Sequence, residues 1–218
     1  MCPEAARPPV PGRECALCPR LVTLRQTLRA SVPEGHNAPV PAFGPLSASL
    51  LVVGLAPGAR GANHTGRPFT GDFAGVLLYA TLAEMGRVHG SYRERADDGL
   101  QARDVRITNA VRCVPPENKP TPAEQAACRP FLVAEMAAMP GLRGILALGR
   151  VAHEAVLRAR NVPLRAYPFA HGALHALPGG IVLGDSYHCS RYNQNTRRLT
   201  PDSFRGAVAS LIQAMDAA

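Results

Sequence analysis

Four kinds of reactive side chain stand at informative places in this chain. The segment 54–75, GLAPGARGANHTGRPFTGDFAG, sets the ring of Phe69 and the carboxylate of Asp72 among glycines and prolines. A carboxylate can stabilise developing positive charge or position a water, and an aromatic ring offers a flat apolar face. Asn109 carries an amide that both donates and accepts. His188, in Asp185-Ser186-Tyr187-His188, can donate toward developing negative charge. Each also has a plain structural reading: a core phenylalanine, a helix N-cap aspartate, an asparagine satisfying loop backbone, and a structural histidine.

Cys15 and Cys18 form a C-x-x-C pair, and Cys113 and Cys128 form a second pair with 14 residues between them. Four thiolates can hold structural zinc or an iron–sulfur cluster. The second spacing is not the short knuckle of a zinc ribbon, yet spacing by itself does not settle the metal. The other reading is four buried free cysteines acting as small hydrophobes. Cys2 and Cys189 are left over, Cys2 in the N-terminal lead-in and Cys189 beside His188.

The elements that must position these groups alternate along the chain. Cys15 to about Ala30 reads as a helix with Leu21, Leu24 and Leu28 on one face. Leu50–Leu55, Val105–Asn109, Gly144–Leu148 and Ile181–Gly184 read as short strands. Between and after them lie helical patterns at Phe73–Val88, from Thr121 onward, at Val151–Arg160 and at about Pro201–Ala217. Thr121-Pro-Ala-Glu124 is a capping box for the second of these. Strands alternating with helices predict a parallel sheet covered on both faces. Ligands of such sheets bind outside the C-terminal strand ends. The loop 55–72, Asn109 and the 185–188 segment all fall at that edge.

The chain has 218 residues, which sets the expectation of one domain over 1–218 with a loose Pro-rich lead-in at 1–12. Lys+Arg of 24 against Asp+Glu of 16 leaves +8, mostly from arginine. That balance suits a polyanionic partner such as nucleic acid, although a compositional bias toward Arg and Ala gives the same figures. The N-terminus has no apolar h-region, and no apolar run approaches a membrane span. The expectation is a cytosolic protein with reduced or metal-bound cysteines.

Together, the segments at 54–75, ITNAVRCVPPENKPT at 107–121 and DSYHCSRYNQNTRRLT at 185–200, with the four spaced cysteines, carry a family resemblance. The chain resembles the iron–sulfur uracil-DNA glycosylases of the family 5 (type B) branch. The resemblance implies a three-layer α/β/α sandwich with a central four-stranded parallel sheet. It implies that Cys15, Cys18, Cys113 and Cys128 hold a structural [4Fe-4S] cluster. It implies hydrolysis of the N-glycosidic bond of uracil in DNA, with hypoxanthine and xanthine as further bases. The implied partner is double-stranded and single-stranded DNA, the setting cytoplasmic and nucleoid-associated, the protein a monomer.

On that resemblance Phe69 stacks the flipped base, Asn109 reads its Watson–Crick edge, and Asp72 and His188 join Asn109 in catalysis. Gly54, Ala56 and Gly58 line the base pocket, with backbone N–H groups near Gly58, Gly61 and Gly71 available to an oxygen of base or phosphate. Ser190, Arg191, Tyr192 and Arg197 meet the DNA, with Arg198 beside them. Two departures stand out. The first motif, Gly54-Leu55-Ala56-Pro57, lacks the polar side chain usual in the superfamily, which shifts the burden to Asp72. Cys189 replaces a usual proline after His188 and is expected to loosen that loop. The rivals are a family 4 glycosylase, against which Leu55-Ala56 argues, a DNA-binding module that has lost catalysis, and a zinc-bound nucleotide-handling protein.

Overall fold

The computed structural model describes residues 8–217. Cys2 therefore lies outside the described residues. In chain order the elements are α1 (Pro19–Ser31), β1 (Leu50–Gly54), α2 (Ala62–Thr65), α3 (Phe73–Glu84), β2 (Val88–His89), β3 (Gln101–Ala102), β4 (Val105–Asn109), α4 (Pro122–Ala137), β5 (Gly144–Leu148), α5 (Arg150–Ala159), β6 (Leu174–Leu177), β7 (Ile181–Ser186), α6 (Arg191–Asn195) and α7 (Pro201–Ala217).

The main sheet has the order β4-β1-β5-β7-β6. Four strands are parallel, and β6 pairs antiparallel with β7 at the edge. The expectation of four strands is thus corrected to five. Leu174–Leu177, Leu-His-Ala-Leu, is a four-residue edge strand of which only Leu177 is buried, too short for its apolar content to mark it as a strand. The β2–β3 pair is a second, two-stranded sheet inside the long connection from α3 to β4, which sequence reading passed over.

The β1 run Leu50-Leu51-Val52-Val53 is fully buried because helices cover both sheet faces. Leu50 and Val52 pack with Leu78 and Leu82 of α3 and Phe204 and Leu211 of α7. Leu51 and Val53 pack with Leu132 and Met136 of α4 and Ala152 and Val156 of α5. That two-sided burial is why parallel strands read as unbroken apolar runs rather than alternating ones. It also yields the three expected layers.

Local chemistry sets the helix ends. Asp72 caps α3, its Oδ1 accepting from the Gly75 N–H at 3.1 Å. The helix stops at Glu84, short of the expected Val88, because Gly86 turns the chain at φ 68°. Thr121 and Glu124 form the expected capping box of α4. The first helix begins at Pro19, so Cys15 and Cys18 precede it rather than ride on it.

Candidate active site

The chain leaves β1 toward β4 on one side and, later, toward β5 and β7 on the other. Strand ends that diverge in this way open a crevice at the C-terminal edge of the sheet. A cavity of about 360 Å³ occupies it, walled by Leu55, Ala56, Pro57 and Gly58 after β1, Asn109 at the end of β4 and His188 after β7. The loop before α3 supplies Phe69 and Asp72, and Ser190 and Arg191 close the side toward α6. Ala56, Gly58, Phe69, Asp72, Asn109, His188, Ser190 and Arg191, all singled out in the sequence, therefore meet in one cavity. Gly54 does not line it. It sits behind the wall and makes room for it.

Gly54 pairs with Asn109 across β1 and β4. A methyl on Gly54 would come within 2.5 Å of Phe69 Cζ and closer still to Asn109 Oδ1. The absent side chain is what lets ring and amide converge over the strand end. Phe69 is only 5% exposed, and its ring centroid lies 5.8 Å from that of His188 at an interplanar angle of 30°. Its backbone is left-handed at φ 51°. That region is costly for a bulky residue and tends to persist where the surroundings over-determine it. Asn109 is buried at the cavity wall, and its side chain has no hydrogen-bond partner among the described residues. Both ends of its amide are open to a ligand.

Asp72 is N-cap and cavity wall together. While Oδ1 accepts from Gly75, Oδ2 faces Gly58 and Gly61, and a methyl on Gly61 would stand 2.7 Å from it. Burial raises the Asp72 pKa above 3.8, against the pull of the Gly75 and Ala74 N–H groups. Burial alone pushes the His188 ring down to about 4, so the imidazole is neutral at physiological pH. A neutral imidazole still donates one N–H, a suitable electrophile for a developing oxyanion.

The loop that carries His188 is held by side chains instead of proline. Asn193 Nδ2 donates to the His188 carbonyl at 2.8 Å and Gln194 Nε2 to the Cys189 carbonyl at 2.7 Å. Cys189 itself is fully buried in the core. Ser190 is the N-cap of α6, accepting from the Asn193 N–H at 3.4 Å. The expected loosening at Cys189 is offset by these contacts.

Tyr192 and Arg197 do not reach the cavity. Tyr192 is 71% exposed on α6, and Arg197 is exposed at φ 55°. Arg191 lies 5.0 Å over the exposed ring of Phe73, while Arg198 packs 4.2 Å over Tyr187. Arg191 and Phe73 belong to the cavity wall, while Tyr192, Arg197 and Arg198 stay exposed on the segment that follows. Asn118 also lines the cavity and was passed over in the sequence. Its signal was a Pro-Pro-Glu-Asn turn, where Glu117 and Asn118 both take left-handed φ, 53° and 56°.

The four cysteines converge away from the cavity. They ring a narrow apolar gap with Leu21, Val111 and Phe131. Burial raises Cys18, Cys113 (to about 11) and Cys128. Burial thus disfavours the thiolate form of these three, and a bound metal cation would reverse that preference. Donors already aim at the sulfurs: the Arg112 N–H reaches Cys128 Sγ at 3.4 Å and Arg25 Nη1 reaches Cys113 Sγ at 3.9 Å. Arg25 is 3% exposed and its Nε has no partner, a buried positive charge beside the sulfurs. This donor set fits an anionic, thiolate-ligated iron–sulfur group. A second set, His153, His175 and Asp185, brings its donor atoms within 4.8 Å of one another. Its hydrogen bonds are already made, Asp185 to both rings and His153 also to the Tyr167 carbonyl at 2.8 Å, so it reads as a brace between α5, β6 and β7.

Residues 41–212 match the profile described as the Uracil DNA glycosylase superfamily. A type-5 uracil-DNA glycosylase of Thermus thermophilus is 47% identical over 87% of this chain and 89% of its own length. One from Mycobacterium leprae is 45% identical over 88% of this chain and 90% of its own. A type-4 uracil-DNA glycosylase of Pyrobaculum aerophilum is 36% identical over only 54% of this chain and 53% of its own.

Proposed function

The chain belongs to the uracil-DNA glycosylase superfamily, in its type-5 branch, and from that premise we propose that it excises uracil from DNA by hydrolysing the N-glycosidic bond. The observation that carries the reading is the convergence of Phe69, Asn109, Asp72 and His188 on one cavity at the C-terminal sheet edge. A base inside a duplex cannot reach such a cavity, so it must be flipped in, at a cost of a few kcal/mol. Phe69 offers the stacking face that repays part of this, and the open Asn109 amide matches the donor–acceptor edge of uracil.

Cleavage leaves positive charge on the sugar and negative charge on the departing base. The Asp72 carboxylate faces the first, stabilising an oxocarbenium-like sugar and orienting water. The neutral His188 imidazole donates toward the second. Cys15, Cys18, Cys113 and Cys128 would hold a [4Fe-4S] cluster whose role is to brace the N-terminal segment against the loop after β4. Tyr192, Arg191 and Arg197 on the rim meet the duplex. Ala56 and Gly58 leave the pocket wall small, which suits hypoxanthine and xanthine beside uracil. No described helix is long and apolar enough to cross a membrane. We take the protein to act as a monomer at the nucleoid.

The test is a panel of duplexes and single strands carrying uracil, hypoxanthine or xanthine, with abasic product measured at excess enzyme. Abasic product from the uracil duplex is expected. Retained DNA binding with no product would instead favour a DNA-binding module on the same fold.

A further inference from the structure

The long connection between α3 and β4 is the part of the chain least accounted for by the fold. It builds the small β2–β3 sheet, and its tip, residues 90–100, delivers two groups to the loop that carries Phe69. Tyr92 Oη donates to the Phe69 carbonyl at 3.1 Å. Asp98, 4% exposed, takes both terminal nitrogens of Arg67 at 2.8 Å each. The Asp98 carboxylate is itself fixed by the Arg93 and Leu100 N–H groups at 2.9 and 3.0 Å. From the helical side, Tyr79 Oη of α3 donates to the Pro68 carbonyl at 2.7 Å.

These contacts form one unit. The rings of Tyr79 and Tyr92 stack at 4.6 Å between centroids. The Arg67 guanidinium lies against both, 5.5 and 5.7 Å from their centroids. Arg67 Nε donates to Thr70 Oγ1 at 2.8 Å, closing the loop on itself. Gly75 leaves the space needed, since a methyl there would collide with the Phe69 carbonyl and the Tyr92 hydroxyl. Consecutive carbonyls, Pro68 and Phe69, are thus held by two hydroxyls on a stacked pair of rings. The residue so held is the one whose backbone is left-handed at φ 51°. A strained conformation at a site is maintained by such over-determination.

We propose that Tyr79 and Tyr92, braced by the Arg67–Asp98 pair, are positioning residues that hold Phe69 in its strained backbone so that its ring is fixed as the stacking wall of the base pocket. The inference rests on the reading of Phe69 as the base-stacking residue. It assigns to the α3–β4 excursion a role in the reaction rather than in the fold alone.

A double-mutant cycle tests it. Single-turnover excision from a uracil duplex is measured for the wild type, Tyr92→Phe, Phe69→Ala and the double variant, with affinity for an abasic duplex in parallel. Tyr92→Phe removes one hydroxyl from a partly exposed side chain. It is expected to lower the rate about tenfold through a loosened ring, with abasic-duplex affinity unchanged because no base remains to be stacked. In the Phe69→Ala background the same change is expected to cost nothing further, since there is no ring left to position. Losses that multiply in the double variant would overturn the proposal, as would a slow Phe69→Ala beside a Tyr92→Phe at full rate. Phe69→Ala at full rate would refute the stacking role itself, and the positioning inference with it. Tyr79→Phe serves as the second variant, expected to show the same non-additivity, with melting temperature followed for each.

Discussion

Gly54→Ala is the sharpest probe of how the site is assembled. Its methyl would stand 2.5 Å from Phe69 Cζ and nearer to Asn109 Oδ1, whereas ordinary contact begins at 3.4 Å. Ring and amide must therefore each retreat by about 1 Å. The ring has little room to retreat, since Phe69 is buried, packs near His188 and is held in a strained backbone. A displacement of that size at a reacting centre costs on the order of 100-fold in rate, equivalent to about 2.7 kcal/mol of barrier. Overpacking at the end of a central strand adds a fold penalty of about 1–3 kcal/mol, a drop of roughly 2–12 °C in melting temperature for a chain of this size. Single-turnover cleavage of a uracil duplex well below the melting temperature separates the two effects. Gly206→Ala in α7 is the control, because its methyl would meet nothing within 4 Å and lies away from the cavity. Gly54→Ala should fall about 100-fold and Gly206→Ala less than about threefold. Equal activities in the two variants would refute the claim that an empty position behind the wall shapes the pocket.

Asp72→Asn keeps an N-cap of equal quality but removes the charge, so cleavage should collapse while DNA binding persists. Burial raises the Asp72 pKa above 3.8, so the charged form opposes folding at neutral pH. A raised carboxyl adds stability below its unfolded pKa and loses it as pH rises through the folded one. The variant should then melt no lower than wild type at pH 7, and the acid limb of the wild-type rate should lie above pH 3.8. His188 acts on stability in the opposite direction: its ring is held near 4 against 6.5 when unfolded, so acid denaturation should draw on it as pH falls between those values. Cys113→Ser should abolish visible iron–sulfur absorbance and lower melting temperature, and wild-type protein that is colourless with bound zinc would refute the cluster. Arg197→Ala should reduce the slope of log affinity against log salt by about 1, and an unchanged slope would remove Arg197 from the phosphate contacts.

What was legible in the sequence was whatever depends on local pattern. The β1 and β5 runs are unbroken and apolar because both their faces are covered, and the α4 start is written in Thr121 and Glu124. The site edge followed from topology, which sends every parallel strand end to the same side. What was not legible depends on long-range contact. The edge strand β6 is only four residues, Leu-His-Ala-Leu, too short for its pattern to separate strand from helix or loop. The excursion at 88–102 looks like a polar surface loop until Tyr92 and Asp98 are seen to reach Pro68-Phe69-Thr70 and Arg67. Asn118 enters the cavity from a left-handed turn: the turn chemistry is local, but its reach to the cavity is set by the fold.

The missing polar side chain in Gly54-Leu55-Ala56-Pro57 has the same kind of explanation. In sequence, Asp72 stands far from the strand end where the superfamily usually keeps its catalyst. In space, Asp72 lines the same cavity as Ala56, and its Oδ2 faces Gly58 and Gly61 of the loop that leaves β1. A methyl on Gly61 would displace that carboxylate, and α3 anchors its other oxygen through the Gly75 N–H. The small residues of the loop that leaves β1 and the cap of α3 are therefore two halves of one arrangement. Gly61→Ala puts the coupling to the test: with its methyl 2.7 Å from Oδ2, it should lower the rate as Asp72→Asn does and add little to it when the two are combined. Full activity in Gly61→Ala would mean that the carboxylate is not held where the reaction needs it.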